Sequence, residues 1–386
     1  MSVPTALAPR FDGASLLNLA ATLELAASGA SRHAPLADAS LRDAILTARP
    51  LVLWLIDGLG IEPLRELAPG SALAGAVAGE VAAIFPSSTA PTLTTLTTGL
   101  SVAEHGLPEW FVWFDELGAI YRSLPLDPRD PASPLPRLVD ARPVYEFEAI
   151  YSRASRPAFA VMPRHVAHSA YRAVVHAGCT TLPGSNDEEL LAAVLAASAV
   201  DGAMVYVYDD RFDRTCHRHG VASDAAQQCL ARLDQLFVRL AAGLSRRGGT
   251  LLVSADHGFV DIDPALRWRL EDFPAIADCL ARPLCGGPRT PIVSVRPGRE
   301  AELVERVGFE LGPHFSAVAS KDLLAAGWFG PGSANPRLLA RLGSHVLLPT
   351  GGAVLVDRLP AEAAYDEIGV HGGCSPAETR VPLILV

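Results

Sequence analysis

The stretch Leu51-Val52-Leu53-Trp54-Leu55-Ile56-Asp57-Gly58 is an unbroken apolar run closed by Asp-Gly. Continuous apolar character suits a strand covered on both faces, as in a parallel sheet, rather than the alternation of a half-exposed strand. Its acid then stands at the carboxyl end, where open α/β sheets bind their ligands. The design recurs twice: Ala203 to Tyr208 leads into Asp209, Asp210 and Asp213, and Thr250 to Ser254 leads into Asp256-His257-Gly258. Between these two lies a helix pattern, with Ser223 as cap, Asp224 in the first turn, Leu230, Leu233, Phe237 and Leu240 recurring, and Gly248 past the end. Strand, helix and strand in that order predict a parallel sheet with right-handed crossovers. Three acidic strand ends therefore point to one place.

Upstream, helical spacing runs from Ser15 to Ser28 and again from Asp38 to Thr47. The Ala/Leu-rich stretch Leu16 to Ala30 has the texture of a signal peptide, but Asp12, Asn18 and Glu24 interrupt it, so an ordinary helix is expected. Downstream of Val260 the texture changes. Pro and Gly become frequent, with a strand candidate at Pro291 to Val295, a helix candidate from Arg299 to Gly308 and the irregular stretch Gly327 to Gly332. This segment interrupts the repeating strand-acid pattern. It predicts a small α+β cap at 261–342 inserted into a catalytic α/β core of 1–260 and 343–386. The central sheet is expected to resume with His345 to Leu348 and Ala353 to Val356 and to finish with Val381 to Val386.

The 386 residues, 49% of them hydrophobic, are enough to bury a large core. A formal net charge of -10, a single lysine (Lys321) and no Lys/Arg run argue against a nucleic acid polymer as partner. No apolar run approaches the roughly 20 residues of a membrane span. The cysteines Cys179, Cys216, Cys229, Cys279, Cys285 and Cys374 form no CxxC pair, which points to reduced thiols and a cytoplasmic protein.

A second informative stretch is Ile84-Phe85-Pro86-Ser87-Ser88-Thr89-Ala90-Pro91-Thr92, a hydroxyl-rich turn before a helix-compatible run of threonines. It would expose Thr89, or its rivals Ser87 and Ser88, as a nucleophile needing a base or metal to ionise it. The polar groups at the strand ends are candidate ligands: Asp57, Asp213 with His217, Asp256 with His257, and His371. Asp213 and His217 are one helical turn apart and so share a face. Asp and His ligands suit Zn²⁺, with Mn²⁺ or Fe as alternatives, and six such groups with Thr89 would fill two sites.

Asp57, the Thr89 turn, Asp213-x3-His217, Ser254-Ala255-Asp256-His257-Gly258 and His371-Gly372-Gly373 occur in an order and spacing that resemble the alkaline phosphatase superfamily, and most of all its type I phosphodiesterase/nucleotide pyrophosphatase branch. The resemblance implies an alkaline phosphatase-like α/β fold, a mostly parallel sheet sandwiched by helices. It also implies that Asp213, His217 and His371 hold one divalent metal and that Asp57, Asp256, His257 and the Thr89 hydroxyl hold the other. The reaction implied is hydrolysis of a phosphodiester or phosphoanhydride through a covalent phospho-threonine, on a small phosphate ester or nucleotide. One departure stands out. The branch usually places an Asn after the nucleophile, and none lies between Thr89 and Gly106, where the polar candidates are Thr92, Thr94 and Thr95.

Bland readings compete for several residues. His105 reads as structural, His219 as a weaker rival of His217, and Asp209 and Asp210 as solvated strand-end acids. Trp110, Phe111, Trp113 and Phe114 are core aromatics or a wall for an apolar leaving group, so Trp110 is one substrate-contact candidate, and Thr92, in place of the missing Asn, is the other. Arg289, Arg337 and Arg341 are the cations nominated for a terminal phosphate or carboxylate. A phosphonoacetate-type C–P hydrolase, a phosphomutase and a metal-bearing binding protein are the alternative functions.

Overall fold

A computed structural model describes residues 3, 4 and 8–386. Its central sheet has seven strands in the order Val77–Ala82, Arg380–Leu385, Thr250–Ser254, Leu51–Ile56, Met204–Asp209, Ala158–Met162 and Cys179–Pro183. The pairings among the last five are parallel, and Arg380–Leu385 is antiparallel to both of its neighbours. Leu51–Ile56 lies in the middle and is buried throughout, as an apolar run without alternation requires.

The flanking helices follow local rules. Leu16–Ser28 is capped by Ser15 in a reciprocal box with Asn18, and Asp224–Ser245 by Ser223. The polar residues that broke the signal-like pattern are put to use, since buried Glu24 pairs with Arg32 and Arg153 at 3.0 and 2.8 Å.

A second seven-stranded sheet runs in the order Phe315–Ala319, His345–Pro349, Pro291–Val293, Cys285–Gly286, Phe111–Phe114, Ala119–Arg122 and Asp127–Pro128, with every pairing antiparallel. The expectation that the central sheet resumes at His345 is therefore corrected. His345–Pro349 pairs within this second sheet, and Val354–Val356 pairs with Arg267–Arg269. Leu347, Ala353 and Leu355 accordingly join a separate apolar cluster with Leu303, Val307 and Phe315. The second sheet also draws on 111–128, a hairpin region outside the 261–342 segment. Short apolar strands read alike in sequence whichever sheet they enter, because the partner strand decides.

The irregular 327–332 stretch packs inward. Trp328 and Phe329 are buried, and the Trp328 ring meets Phe85 edge-on at 4.9 Å, directly behind the hydroxyl-rich turn.

Candidate active site and metal-ligating cluster

Register brings the strand ends together. Ile56 pairs with Asp209 and Leu55 with Ser254, so Asp57 emerges between the chains that carry Asp213 and Asp256. Gly58 follows at φ 77°, where a Cβ would run into the Phe259 ring, so the turn after Asp57 admits glycine alone. Asp213 and His217 lie on the helix Arg211–His219, with Nε2 of His217 3.3 Å from Oδ1 of Asp213. His371 arrives from the far end of the chain on a two-stranded ribbon, Val260–Asp261 against Gly369–Val370.

Two groups of ligand atoms result: Asp213, His217 and His371 in one, Asp57, Asp256 and His257 in the other, each within 4.8 Å of one another. They adjoin, since the His257 and His371 rings stack at 3.6 Å. In all three histidines Nδ1 faces a backbone carbonyl: Gly369 at 2.9 Å from His217, Gly258 at 3.0 Å from His257, and Ser87 at 3.2 Å from His371. With Nδ1 directed at the main chain, each Nε2 faces the cluster, where, against burial, the surrounding carboxylates raise His217 well above its ordinary value and His257 to about 9, so that a cation there would take the place of the proton.

The carboxylates tell the same story. Oδ1 of Asp57, Oδ1 of Asp213 and Oδ2 of Asp256 are buried and have no hydrogen-bond partner. Burial and the Asp57 charge push the Asp256 carboxyl well above the usual range, and burial raises Asp213 despite His217. Asp57 also feels burial, yet His257 and the Tyr208 hydroxyl, which donates to its Oδ2, hold it below its ordinary value. Burial, reinforced by the neighbouring His257 and His217, keeps the His371 imidazole well below its usual value. Three orphaned carboxylate oxygens and three Nε2 atoms facing one another fit a donor set for hard or borderline divalent cations.

Thr89 is the first residue of the helix Thr89–Thr98, and its Oγ1 lies 3.1 Å from Nε2 of His257. The rival Ser87 is turned away, its hydroxyl donating to the Gly373 carbonyl at 2.7 Å. Ser88 lines the cavity beside Thr89. His219 is exposed and apart from the cluster. Asp209 pairs with Arg211, and Asp210 with His165 at 2.8 Å.

The His371 loop is locked from behind. Buried Arg289 pairs with buried Glu378 at 2.8 Å, and Glu378 also accepts from the Gly373 amide at 2.8 Å. Thr290 donates to the Gly372 carbonyl at 3.2 Å. Arg289 therefore holds a loop in place and offers nothing to a ligand. The other nominated cations are likewise committed, Arg341 to Glu116 and Arg337 to Glu116 and Glu146, each at 3.0 Å.

The cluster opens into a cavity of about 560 Å³. Trp110 and Phe111 line it, whereas Phe114 packs in the apolar cluster around Tyr121 and Tyr145. Thr92 does not reach it: the side chain is fully buried and donates to the Asp256 carbonyl at 3.3 Å. Thr94 and Thr95 are also buried and engaged, with Tyr171 and His105 respectively. Sequence reasoning missed several residues that line the cavity, Glu109 and Arg172 among them. Glu109, in Leu107-Pro108-Glu109-Trp110-Phe111, is 2% exposed, and burial pushes its carboxyl up to about 7. Its signal was a lone acid opening an aromatic run. Arg172, 4% exposed, carried no signal beyond its charge.

A model of the type I phosphodiesterase/nucleotide pyrophosphatase family matches residues 51–373. Compared by sequence with curated proteins, the chain has no significant match. Among solved structures, murine ectonucleotide pyrophosphatase/phosphodiesterase 5 is similar with a TM-score of 0.66 and 17% identity, covering 87% of each chain. An inactive threonine-to-alanine variant of that protein in complex with AMP gives 0.65 and 16% over the same shares. Phosphonoacetate hydrolase from Sinorhizobium meliloti 1021, in complex with phosphonoacetate, gives 0.63 and 14% over 87% of this chain and 89% of its own. At these identities the likeness is one of fold.

Proposed function

From its place in the type I phosphodiesterase/nucleotide pyrophosphatase family, to which the chain belongs, we propose that it is a two-metal hydrolase cleaving phosphodiester or phosphoanhydride bonds of small phosphate esters or nucleotides through a covalent phospho-threonine at Thr89. One observation carries this reading. The Thr89 hydroxyl, at the first residue of its helix, faces the candidate ligand cluster at 3.1 Å from Nε2 of His257. The inactive threonine-to-alanine relative with AMP supports the same assignment by analogy.

Asp57, Asp256, His257 and the Thr89 hydroxyl would hold one ion and Asp213, His217 and His371 the other, zinc foremost with manganese or iron as alternatives. When bound, such ions supply Lewis acidity and lower the pKa of a coordinated hydroxyl.

The chain's own part follows from its geometry. Thr89 Oγ1 gives up its proton to solvent and attacks phosphorus in line, forming the Oγ–P bond as the bond to the leaving oxygen breaks. That oxygen departs with the electron pair. Water then attacks phosphorus from the side the leaving group vacated, the Oγ–P bond breaks and Thr89 recovers a proton. Two in-line steps give net retention. The half-buried Thr89 and the positive end of its ten-residue helix favour the anionic phosphoryl group throughout.

Thr89→Ala should abolish turnover of bis-p-nitrophenyl phosphate while metal content, read by elemental analysis, survives. Full activity in that variant would sink the proposal. Release of inorganic phosphate from phosphonoacetate without diester cleavage would move the reading to a C–P hydrolase on the same residues. No described helix is long and apolar enough to cross a membrane. We propose a cytoplasmic location, a reading that the six unpaired thiols support.

A further inference from the structure

Four arginines are buried: Arg129, Arg172, Arg289 and Arg341. Arg129 pairs with Asp357 and Glu362 at 2.6 and 2.8 Å, Arg289 with Glu378 at 2.8 Å, and Arg341 with Glu116 at 3.0 Å. Arg172 differs. Among the described residues its guanidinium has no carboxylate partner, the Tyr206 hydroxyl being its polar side-chain neighbour, and Nη1 is a buried orphan. A buried cation without an acceptor is costly, and folded chains pair it or bring it a ligand. Two aromatic faces relieve part of that cost, with Cζ 4.6 Å from the Tyr208 ring centroid and 5.8 Å from that of Tyr171.

The position gives the orphan its meaning. Arg172 is the one buried arginine that lines the cavity shared with Thr89 and the ligand cluster. Tyr208, under its guanidinium, donates its hydroxyl to Asp57. The cation therefore stands one tyrosine ring away from Asp57. A planar guanidinium with free donors is built for carboxylate or phosphate oxygens.

We propose that Arg172 binds an anionic group of the substrate lying beyond the reacting phosphorus, so that the enzyme selects phosphate esters, anhydrides or phosphonates carrying a second anion, a carboxylate or a phosphate. This rests on the hydrolase reading above and adds the class of substrate. The carboxylate and phosphate sources share one chemistry at the guanidinium, and the choice of probes separates them.

The test compares the zinc-loaded wild type with Arg172→Met and Arg172→Lys on three probes: bis-p-nitrophenyl phosphate, with neutral arms; phosphonoacetate, with a carboxylate arm; and ADP, with a phosphate arm. Losing a charge-assisted contact should lower kcat/KM of Arg172→Met by roughly 10- to 100-fold more on at least one anionic-arm probe than on the neutral one. Arg172→Lys should recover part of it. The same difference should appear as weakened binding of that probe to the zinc-loaded Thr89→Ala protein by calorimetry, which needs no turnover. Because it removes an unpaired buried charge, Arg172→Met should keep or raise the melting temperature. Equal losses on all three probes, or unaltered binding in the Thr89→Ala background, would overturn the assignment while leaving the hydrolase reading intact. A wild type inert toward all three probes whose calorimetry still shows Arg172-dependent binding would instead strike the hydrolase reading.

Discussion

The two walls of the cavity are built on opposite principles. On one side, ligand side chains stand at the ends of paired parallel strands or on a loop clamped by Arg289 and Glu378, and each histidine is fixed through Nδ1 to a main-chain carbonyl. On the other, Glu109, Trp110 and Phe111 come from the start of the hairpin region at 111–128, and Arg172 from the short helix Ala170–Val175. Arg172 has no carboxylate partner there, and Glu109 accepts from the main chain of its neighbour Trp110. Chemistry that needs fixed distances sits on the rigid scaffold, whereas the groups facing the rest of a substrate sit on peripheral elements.

The contrast can be broken most severely at the rigid wall. Thr89→Ala should cost on the order of 10³-fold or more in turnover of bis-p-nitrophenyl phosphate, since it removes the hydroxyl that stands against Nε2 of His257. Steady-state kinetics beside metal analysis will check this. Next in size is Glu378→Gln. Leaving Arg289 buried without its carboxylate should cost about 3–5 kcal/mol in denaturant unfolding. By loosening the His371 loop it should also make one metal easier to remove by chelator.

His105 sharpens the comparison, because it stands near the helix Thr89–Thr98 yet is buried with both ring nitrogens engaged by the chain itself. Burial holds its imidazole down to about 3, with Nδ1 accepting from the Leu107 amide at 3.1 Å and Nε2 against Thr95 at 3.2 Å. The unfolded chain takes up this proton near pH 6.5 and the folded one only near 3, so the unfolded state binds more protons in between. The stabilisation is complete above about pH 6.5 and is lost as pH falls toward 3, at up to about 1.4 kcal/mol per unit. His105→Asn should flatten that part of the stability curve measured by urea titration across pH 4–7. The smallest effect belongs to the peripheral wall. Trp110→Ala should raise KM for aryl phosphates about three- to tenfold more than it changes kcat, as expected of a stacking surface and not of a reacting group.

Much of the ligand wall could be read from the chain because its elements announce themselves locally. Leu51–Ile56, Thr250–Ser254 and Asp224–Ser245 carry apolar periods and caps that few alternatives satisfy, and each acid follows its strand directly. The second sheet was harder to read. His345–Pro349 is apolar in the same way as a central strand, and only its neighbours, Phe315–Ala319 and Pro291–Val293, assign it. The nominated cations failed for a related reason: an arginine's charge is visible in sequence, but its partner is not. Arg289, Arg337 and Arg341 found carboxylates elsewhere in the chain, and Arg172 did not.

By itself, then, the sequence determined the buried parallel strands, the acids at their ends, the helix that puts Asp213 and His217 on one face, and the hydroxyl turn at Thr89. These are short-range properties, set by side-chain period and by which residues tolerate a turn. Tertiary structure alone decided that six ligand atoms meet as two adjoining groups, that Thr92 lies beneath the cavity, and that Glu109 and Arg172 line it. Such placements depend on register between distant segments and on which buried charges find partners. Neither is encoded in any window of neighbouring residues.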